Sequence, residues 1–244
     1  INFRNLFTKS INLQLQSDAN LGVQLSGGID STLITEFALK QKEIKYLFFS
    51  FFKNFKKDEF KYAKYVSNKL KLRFKKIGHT KNFFDNNLKK SIYHLDEPLN
   101  HPHSVAIFQI SKIAQKKVSV LLTGEGADEI FFGYERYRKI LKKKINDLDL
   151  IQNGAFLRSK KDLELFEKFR SDKFGDPHLN RLNLFNKIDV DDKIKKFQVF
   201  ETQSHLQSLL LRSDKMMMAN SIEARVPFLD KDIYNYTLNL SDSI

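Results

Sequence analysis

Residues 44–52, IKYLFFSFF, form a nearly continuous apolar run of strand length, and this run constrains the fold more than any other stretch. A strand that is apolar on both sides must be covered on both faces, the condition met by a parallel sheet flanked by helices. A short apolar strand, Leu21 to Leu25, precedes it, and a helix-length segment from Asp30 to about Gln41 lies between the two. A second helix is predicted from Asp58 to about Lys71, where Phe60, Ala63, Val66 and Leu70 recur at helical spacing. A strand at about Arg73 to Ile77, helices at about Asn82 to His94 and Ser104 to Lys116, and a strand at Val118 to Leu122 follow. Strands alternating with helices predict right-handed crossovers and an α/β, doubly wound parallel sheet with ligands at the carboxyl ends of its strands. After about Arg138 the pattern becomes polar and helical with no convincing strand, and Asp172 to Asn183, containing Gly175, Asp176 and Pro177, reads as a loop or boundary.

The length of 244 residues allows one large domain, or a domain with a helical subdomain. With 41% apolar residues and 23 Phe the chain is expected to pack as a globule, and no apolar run reaches membrane-spanning length. The absence of Cys excludes disulfides, thiolate metal sites and a cysteine nucleophile, and with no export leader it is compatible with a cytoplasmic setting. The net charge of +13 raises a nucleic-acid partner. Lys far outnumbers Arg, however, and the runs at Lys56-Lys57, Lys75-Lys76 and Lys142 to Lys144 read as solvated faces, so no nucleic acid is expected. The chain opens on Ile1 and closes on an apolar stretch without a stop signal, so both ends are expected to be internal to something longer.

Three motifs carry chemistry. In Leu25-Ser26-Gly27-Gly28-Ile29-Asp30-Ser31 a strand end meets a two-glycine turn and a helix start, which brings backbone N–H groups and the positive end of a helix dipole to one anion site. Ser26 and Ser31 add hydroxyls, and Asp30 is a carboxylate that makes sense there if a divalent metal lies between it and a phosphate. A plain Ser/Gly turn is the alternative. Thr123-Gly124-Glu125-Gly126-Ala127-Asp128-Glu129 follows the strand ending at Leu122, with Glu125 and Asp128 expected to face inward and Asp30 and Asp128 expected to hold Mg²⁺ against a pyrophosphate. An acidic helix start favoured by the dipole is the alternative there. In the third run, Leu211 to Asp230, the helix is predicted to end near Pro227, the triple Met reads as core packing, and Lys215 is a cation able to meet a phosphate.

Together the three runs resemble one family. SGGIDS is similar to the pyrophosphate-loop motif of the ATP pyrophosphatases, while TGEGADEIFFGYERY and LRSDKMMMANSIEARVPFLD, in this order, resemble the synthetase domain of glutamine-dependent asparagine synthetases. Asp96-Glu97-Pro98 and the segment from Asp58 to Ala63 match lesser signatures, so the resemblance runs from about Ser10 to Asp230. It implies an adenine nucleotide alpha hydrolase-like core at about 10–138 and a mainly helical part at about 139–244 carrying Lys215. The implied activity is an ATP-dependent amide ligase that converts aspartate to β-aspartyl-AMP with release of pyrophosphate and then lets ammonia form asparagine. By motif position, Leu25, Ser26, Gly27, Gly28, Asp30, Ser31, Thr123 and Gly124 would bind ATP, Asp30 and Asp128 would bind Mg²⁺, Lys215 would stabilise charge on the α-phosphate, and Glu125 would orient or deprotonate ammonia. The related β-lactam synthetase has tyrosine in place of Glu125.

The chain also departs from the family. With no Cys it holds no glutaminase domain, whose nucleophile is an N-terminal Cys, so ammonia is expected from a glutaminase domain or subunit outside this chain, or from solution. Phe51 replaces the usual glycine of the strand-two motif and could crowd the adenine pocket. No Arg precedes Ser104 where some relatives place one; His101 and His103 stand there and read as loop histidines without a role. Helices that normally follow RVPFLD are expected to be missing. A homodimer is among the open assemblies, another carboxylate among the open substrates, and an RNA-directed pyrophosphate-loop enzyme is the further alternative.

Overall fold

The computed structural model describes residues 2–52, 60–72, 74–99, 101–135, 137, 146–147, 150–151 and 177–240. Contacts divide the chain into two units, residues 1–127 with 208–244, and residues 128–207.

The first unit holds a five-stranded parallel sheet: β1 (Leu21–Gln24), β2 (Tyr46–Phe52), β3 (Phe74–His79), β4 (Val120–Leu122) and β5 (Glu223–Arg225), in the order β3-β2-β1-β4-β5. Val23 lies opposite Leu47 on one side and Leu122 on the other, and Leu122 lies opposite Arg225. Helices α1 (Phe3–Gln14), α2 (Ile29–Gln41), α3 (Phe60–Lys69), α4 (Lys81–Leu95) and α5 (His103–Ala114) belong to this unit. The doubly wound parallel sheet expected from sequence is present. The chain steps outward from β1 to β2 and β3, then returns to place β4 on the other side of β1, so the order reverses between β1 and β4.

The strand expected to be apolar on both sides is covered only along Leu47, Phe48 and Phe49, whereas Phe52 at its carboxyl end is exposed. A fully buried ring such as Phe49 contributes about 2 kcal/mol by leaving water. Phe48 joins Ile77, Phe108, Leu121, Met216 and Met217 in one core cluster. Met216 and Met217 are buried while Met218 is exposed, in keeping with core packing for two of the three. Strand β3 is the sheet edge, where exposed Lys75 and Lys76 discourage pairing with another chain; Lys56-Lys57 and Lys142 to Lys144 lie outside the described residues.

Residues 208–244 join the first unit, a division that differs from the sequence expectation of a helical part at 139–244. The expectation of no strand after Arg138 is corrected by β5, which adds to the sheet beside β4. At three residues, with one Glu and one Arg, it carries no apolar period. The helix predicted to run towards Pro227 ends instead at Met218; Pro227 opens a 3-10 turn, Pro227–Leu229. Helix α1 carried no sequence expectation, and it is anchored by packing: Phe7 and Ile11 are buried, Phe7 lies 4.7 Å from Phe228, and the Ser10 hydroxyl donates to the Pro227 carbonyl at 2.7 Å.

The second unit contains α7 (Pro177–Asn186) and α8 (Lys193–Gln203) around Tyr137, Phe185, Phe197 and Phe200. The short helix α6 (Ala127–Ile130) starts as the chain enters this unit, and α9 (His205–Met218) carries it back. The predicted loop at Asp172 to Asn183 is corrected from Pro177 onward: proline's fixed φ suits the first turn of a helix, and α7 starts there. Gly175 and Asp176 lie outside the described residues. Helix α10 (Lys231–Leu238), capped by the Asp230 carboxylate, lies in the first unit and follows RVPFLD directly, which corrects the expectation that helices are missing after that motif. Among the described residues no helix is long and apolar enough to cross a membrane.

Candidate active site at the carboxyl edge of the sheet

In a parallel sheet every strand ends on the same edge, and a crevice opens there where the strand order reverses. Here that point lies between β1 and β4, and the loops leaving those strands are the first two motifs.

Leu25 is fully buried and its N–H donates to the Phe48 carbonyl at 2.9 Å, so its side chain belongs to the core and only its backbone borders the loop. The chain then turns through Gly27 at φ 88°, a left-handed conformation that a side chain resists. Gly28 caps α2 and leaves the helix start without a side-chain cap, while exposed Ser26 and Gly28 face solvent. The buried Ser31 hydroxyl accepts from the Ser26 N–H at 3.1 Å and lies 2.9 Å from the Ser26 hydroxyl, so it holds the loop in shape. The Thr32 hydroxyl donates to the Gly28 carbonyl at 2.7 Å. Asp30 is half-buried in the first turn of α2.

Thr123 is tied to β5 by its N–H, which donates to the Arg225 carbonyl at 2.8 Å, and its buried hydroxyl has no hydrogen-bond partner. A Cβ on Gly124 would stand 3.3 Å from the Asp30 Cβ and 3.4 Å from the Ser31 nitrogen, so the second loop lies directly against the first. Gly126 turns at φ 90° and faces Leu229 of the third motif. Between them Glu125, half-buried, accepts from Arg212 Nη2 at 2.7 Å.

Arg212 was not singled out by sequence. It sits on α9 with Leu209, Ser213, Met216 and Met217, all buried, and is itself only 6% exposed. The signal was helical spacing: three after Leu209 and four before Met216, an arginine occupies the apolar face. The electrostatic field of Arg212 reaches His101 and His103. Burial, Arg212 and His103 together push the His101 imidazole down to about 4, and burial, Arg212 and His79 lower His103. These histidines are in contact, with Nδ1 atoms 3.0 Å apart, so the expectation that they are idle loop residues is incomplete. The Phe52 ring lies 5.3 Å from His103 and 4.8 Å from His79, whose Nδ1 is 2.6 Å from Gln109 Oε1. Burial lowers His79 as well.

Lys215 lies on α9 and is half-buried. Its ammonium pairs with Asp96, the left-handed residue that closes α4. Phe51, opposite Gly78 in β3, is half-buried, stacks on Phe49 with centroids 6.1 Å apart and lies 4.6 Å from the Lys76 ammonium. Asp128 belongs to the second unit, where its carboxylate lies against Gly133. Glu129, deeply buried in that unit, accepts from the Tyr134 hydroxyl at 2.7 Å, and burial with this acid raises the phenol. Among the described residues no cluster of three or more His, Cys, Asp or Glu could hold a metal ion.

The end of the third motif ties α1 to the sheet. Arg225 donates through Nη1 to the carbonyls of Gln14 at 2.6 Å and Gln16 at 2.8 Å, and it pairs with Glu223 at 2.8 Å, fastening the end of α1 to β5.

A family model described as asparagine synthase matches residues 2–244. An asparagine synthetase (glutamine-hydrolysing) of Bacillus subtilis is 29% identical over 99% of this chain and 44% of its own length. A putative asparagine synthetase of Mycobacterium tuberculosis is 28% identical over 92% of this chain and 40% of its own. The chain thus spans less than half the length of these relatives. The solved structure of an NMN synthetase from Francisella tularensis is similar to 85% of this chain and 96% of its own, at 13% identity and a TM-score of 0.46.

Proposed function

Because the chain belongs to the asparagine synthase family, we propose that it is the synthetase portion of an ATP-dependent amide ligase that makes asparagine. The observation that carries this reading is the contact of Gly124 with Asp30 and Ser31, which places an acidic loop against a phosphate-type loop at the reversal point of the sheet. In this reading the side-chain carboxylate of aspartate attacks the α-phosphorus of ATP, the bond to the β-phosphate oxygen breaks, and pyrophosphate leaves. Ammonia then attacks the acyl carbon of β-aspartyl-AMP and loses a proton to Glu125, and AMP departs with the electrons of the carbon–oxygen bond.

The turn of Ser26, Gly27 and Gly28 and the backbone N–H groups at the start of α2 hold the pyrophosphate end of the nucleotide, with Ser31 keeping the loop in register. Leu25 by its backbone, with Thr123 and Gly124, lines the nucleotide. Lys215, released from Asp96 as the nucleotide arrives, meets the charge that grows on the α-phosphate. Mg²⁺ suits one or two carboxylates with phosphate oxygens and water, and Asp30 beside an anion loop fits that donor chemistry; the family resemblance adds Asp128. Bound with the nucleotide, it neutralises phosphate charge. The relatives' names give them glutamine hydrolysis. We place the ammonia source in a glutaminase domain or subunit outside this sequence.

The test is to supply the full-length protein with ATP, Mg²⁺, aspartate and ammonium and measure AMP, pyrophosphate and asparagine. Equimolar formation of all three is expected, and Lys215→Ala should abolish pyrophosphate release while leaving the protein folded. AMP formed with another carboxylate and none with aspartate overturns the substrate, and full activity of Lys215→Ala overturns the role of that lysine.

A further inference from the structure

We propose that Arg212 is the positioning residue of Glu125, holding its carboxylate in place for the ammonia-dependent step; this rests on the role of Glu125 in the function proposed above. Glu125 hangs from a loop flanked by two glycines, and a loop of that kind does not by itself fix a side chain. Arg212 comes from a helix, with 8% of its side chain exposed against 21% for Glu125, and makes a 2.7 Å charge-assisted hydrogen bond from Nη2 to Oε1. The helix is itself anchored: the Ser111 hydroxyl of α5 donates to the Met216 carbonyl at 2.9 Å, and Asn220 donates to the same hydroxyl oxygen at 2.9 Å. An anchored helix therefore reaches across to a loop residue at the edge where the chemistry is placed.

The pair is poorly arranged for stability alone. A buried ion pair is commonly no better than apolar packing of the same volume, and here the Arg212 Nε–H is also buried without a partner. An arginine kept for packing would be expected to satisfy that donor or to be replaced by an apolar side chain on this face of α9. Among the described residues the guanidinium is engaged through Nη2, by Glu125.

The experiment compares Arg212→Met, Arg212→Lys, Glu125→Gln and the Arg212→Met/Glu125→Gln double variant in the full-length protein, reading ATP–pyrophosphate exchange for adenylation and amide yield against ammonium for the second step. A misplaced catalytic group costs about 100-fold. Arg212→Met is therefore expected to slow amide formation about 100-fold more than it slows exchange, Arg212→Lys is expected to recover about tenfold of that loss, and the double variant should be no slower than Glu125→Gln. Losses that multiply in the double variant, or equal losses in both steps, overturn the proposal. If Glu125→Gln itself leaves amide formation intact, the reading of Glu125 fails instead. A crystal structure of Arg212→Met decides the matter independently of any substrate: a Glu125 carboxylate that keeps its place without Arg212 refutes the positioning role.

Discussion

Replacing Gly126 with alanine probes the joint between the second and third motifs. Gly126 turns at φ 90°, and a left-handed conformation costs an L-residue with a Cβ about 1–2 kcal/mol. The added Cβ would also stand 2.6 Å from Cγ and 2.8 Å from Cδ1 of Leu229, and closer still to Cδ2. Contacts to Cγ as well as to the methyl groups mean that rotating the leucine end does not clear them, and overpacking of this kind costs about 1–3 kcal/mol. The sum is about 2–5 kcal/mol, a large share of the about 5–15 kcal/mol that holds a typical domain together. Leu229 closes the 3-10 turn after Val226, so relief by moving its backbone would disturb the Leu229 N–H bond to the Val226 carbonyl at 2.9 Å. Urea unfolding, read as midpoint and slope, measures the loss. Leu229→Ala removes the colliding atoms, so in that background Gly126→Ala should cost only the backbone strain of about 1–2 kcal/mol. A penalty below about 0.5 kcal/mol in the native background, or the same penalty in both, refutes the argument.

Stability should also respond to acid through the histidines beside Arg212. His101, His103 and His79 all resist protonation in the fold, His101 down to about 4 against an ordinary 6.5. Between those two values the unfolded chain takes up protons that the folded chain refuses, so stability is full above about 6.5 and declines as the pH falls towards 4. Each such group contributes a slope of at most about 1.4 kcal/mol per pH unit. His101→Gln should flatten the decline in urea unfolding between pH 6.5 and 4.5, and an unchanged slope contradicts it. Arg225→Met should destabilise the fold by about 2 kcal/mol, because it leaves the Gln14 and Gln16 carbonyls without their charged donor. Its nucleotide KM should stay within about twofold, since the residue acts on α1 rather than on substrate; a large KM change with unaltered urea midpoint would reverse that assignment.

The parallel sheet was legible because its evidence is local. Strand-length apolar runs separated by helical spacing leave few topologies once right-handed crossovers are required. The turn between β1 and α2 was legible for the same reason, since Ser26, Gly27, Gly28 and Asp30 meet the needs of a strand end, a tight turn and a helix start within one short run. Strand β5 was not legible: a three-residue strand becomes a strand only because β4 offers it an open edge. Helix α1 draws on rings and hydroxyls from the far end of the chain, as the contacts of Phe7 with Phe228 and of Ser10 with Pro227 attest.

What the sequence determined by itself was the layered α/β plan and the strand–turn–helix form of the loop after β1, because both depend on neighbours within a few residues. Which charges meet was decided by tertiary structure alone. Glu125 faces Arg212, 87 residues away, and Lys215 faces Asp96, 119 residues away, and no periodicity encodes such pairings. The first arises because the loop after β4 and α9 are carried to the same edge of the sheet, where burial leaves each charge few partners and makes the choice of partner consequential; the second joins α9 to the end of α4 in a more exposed setting.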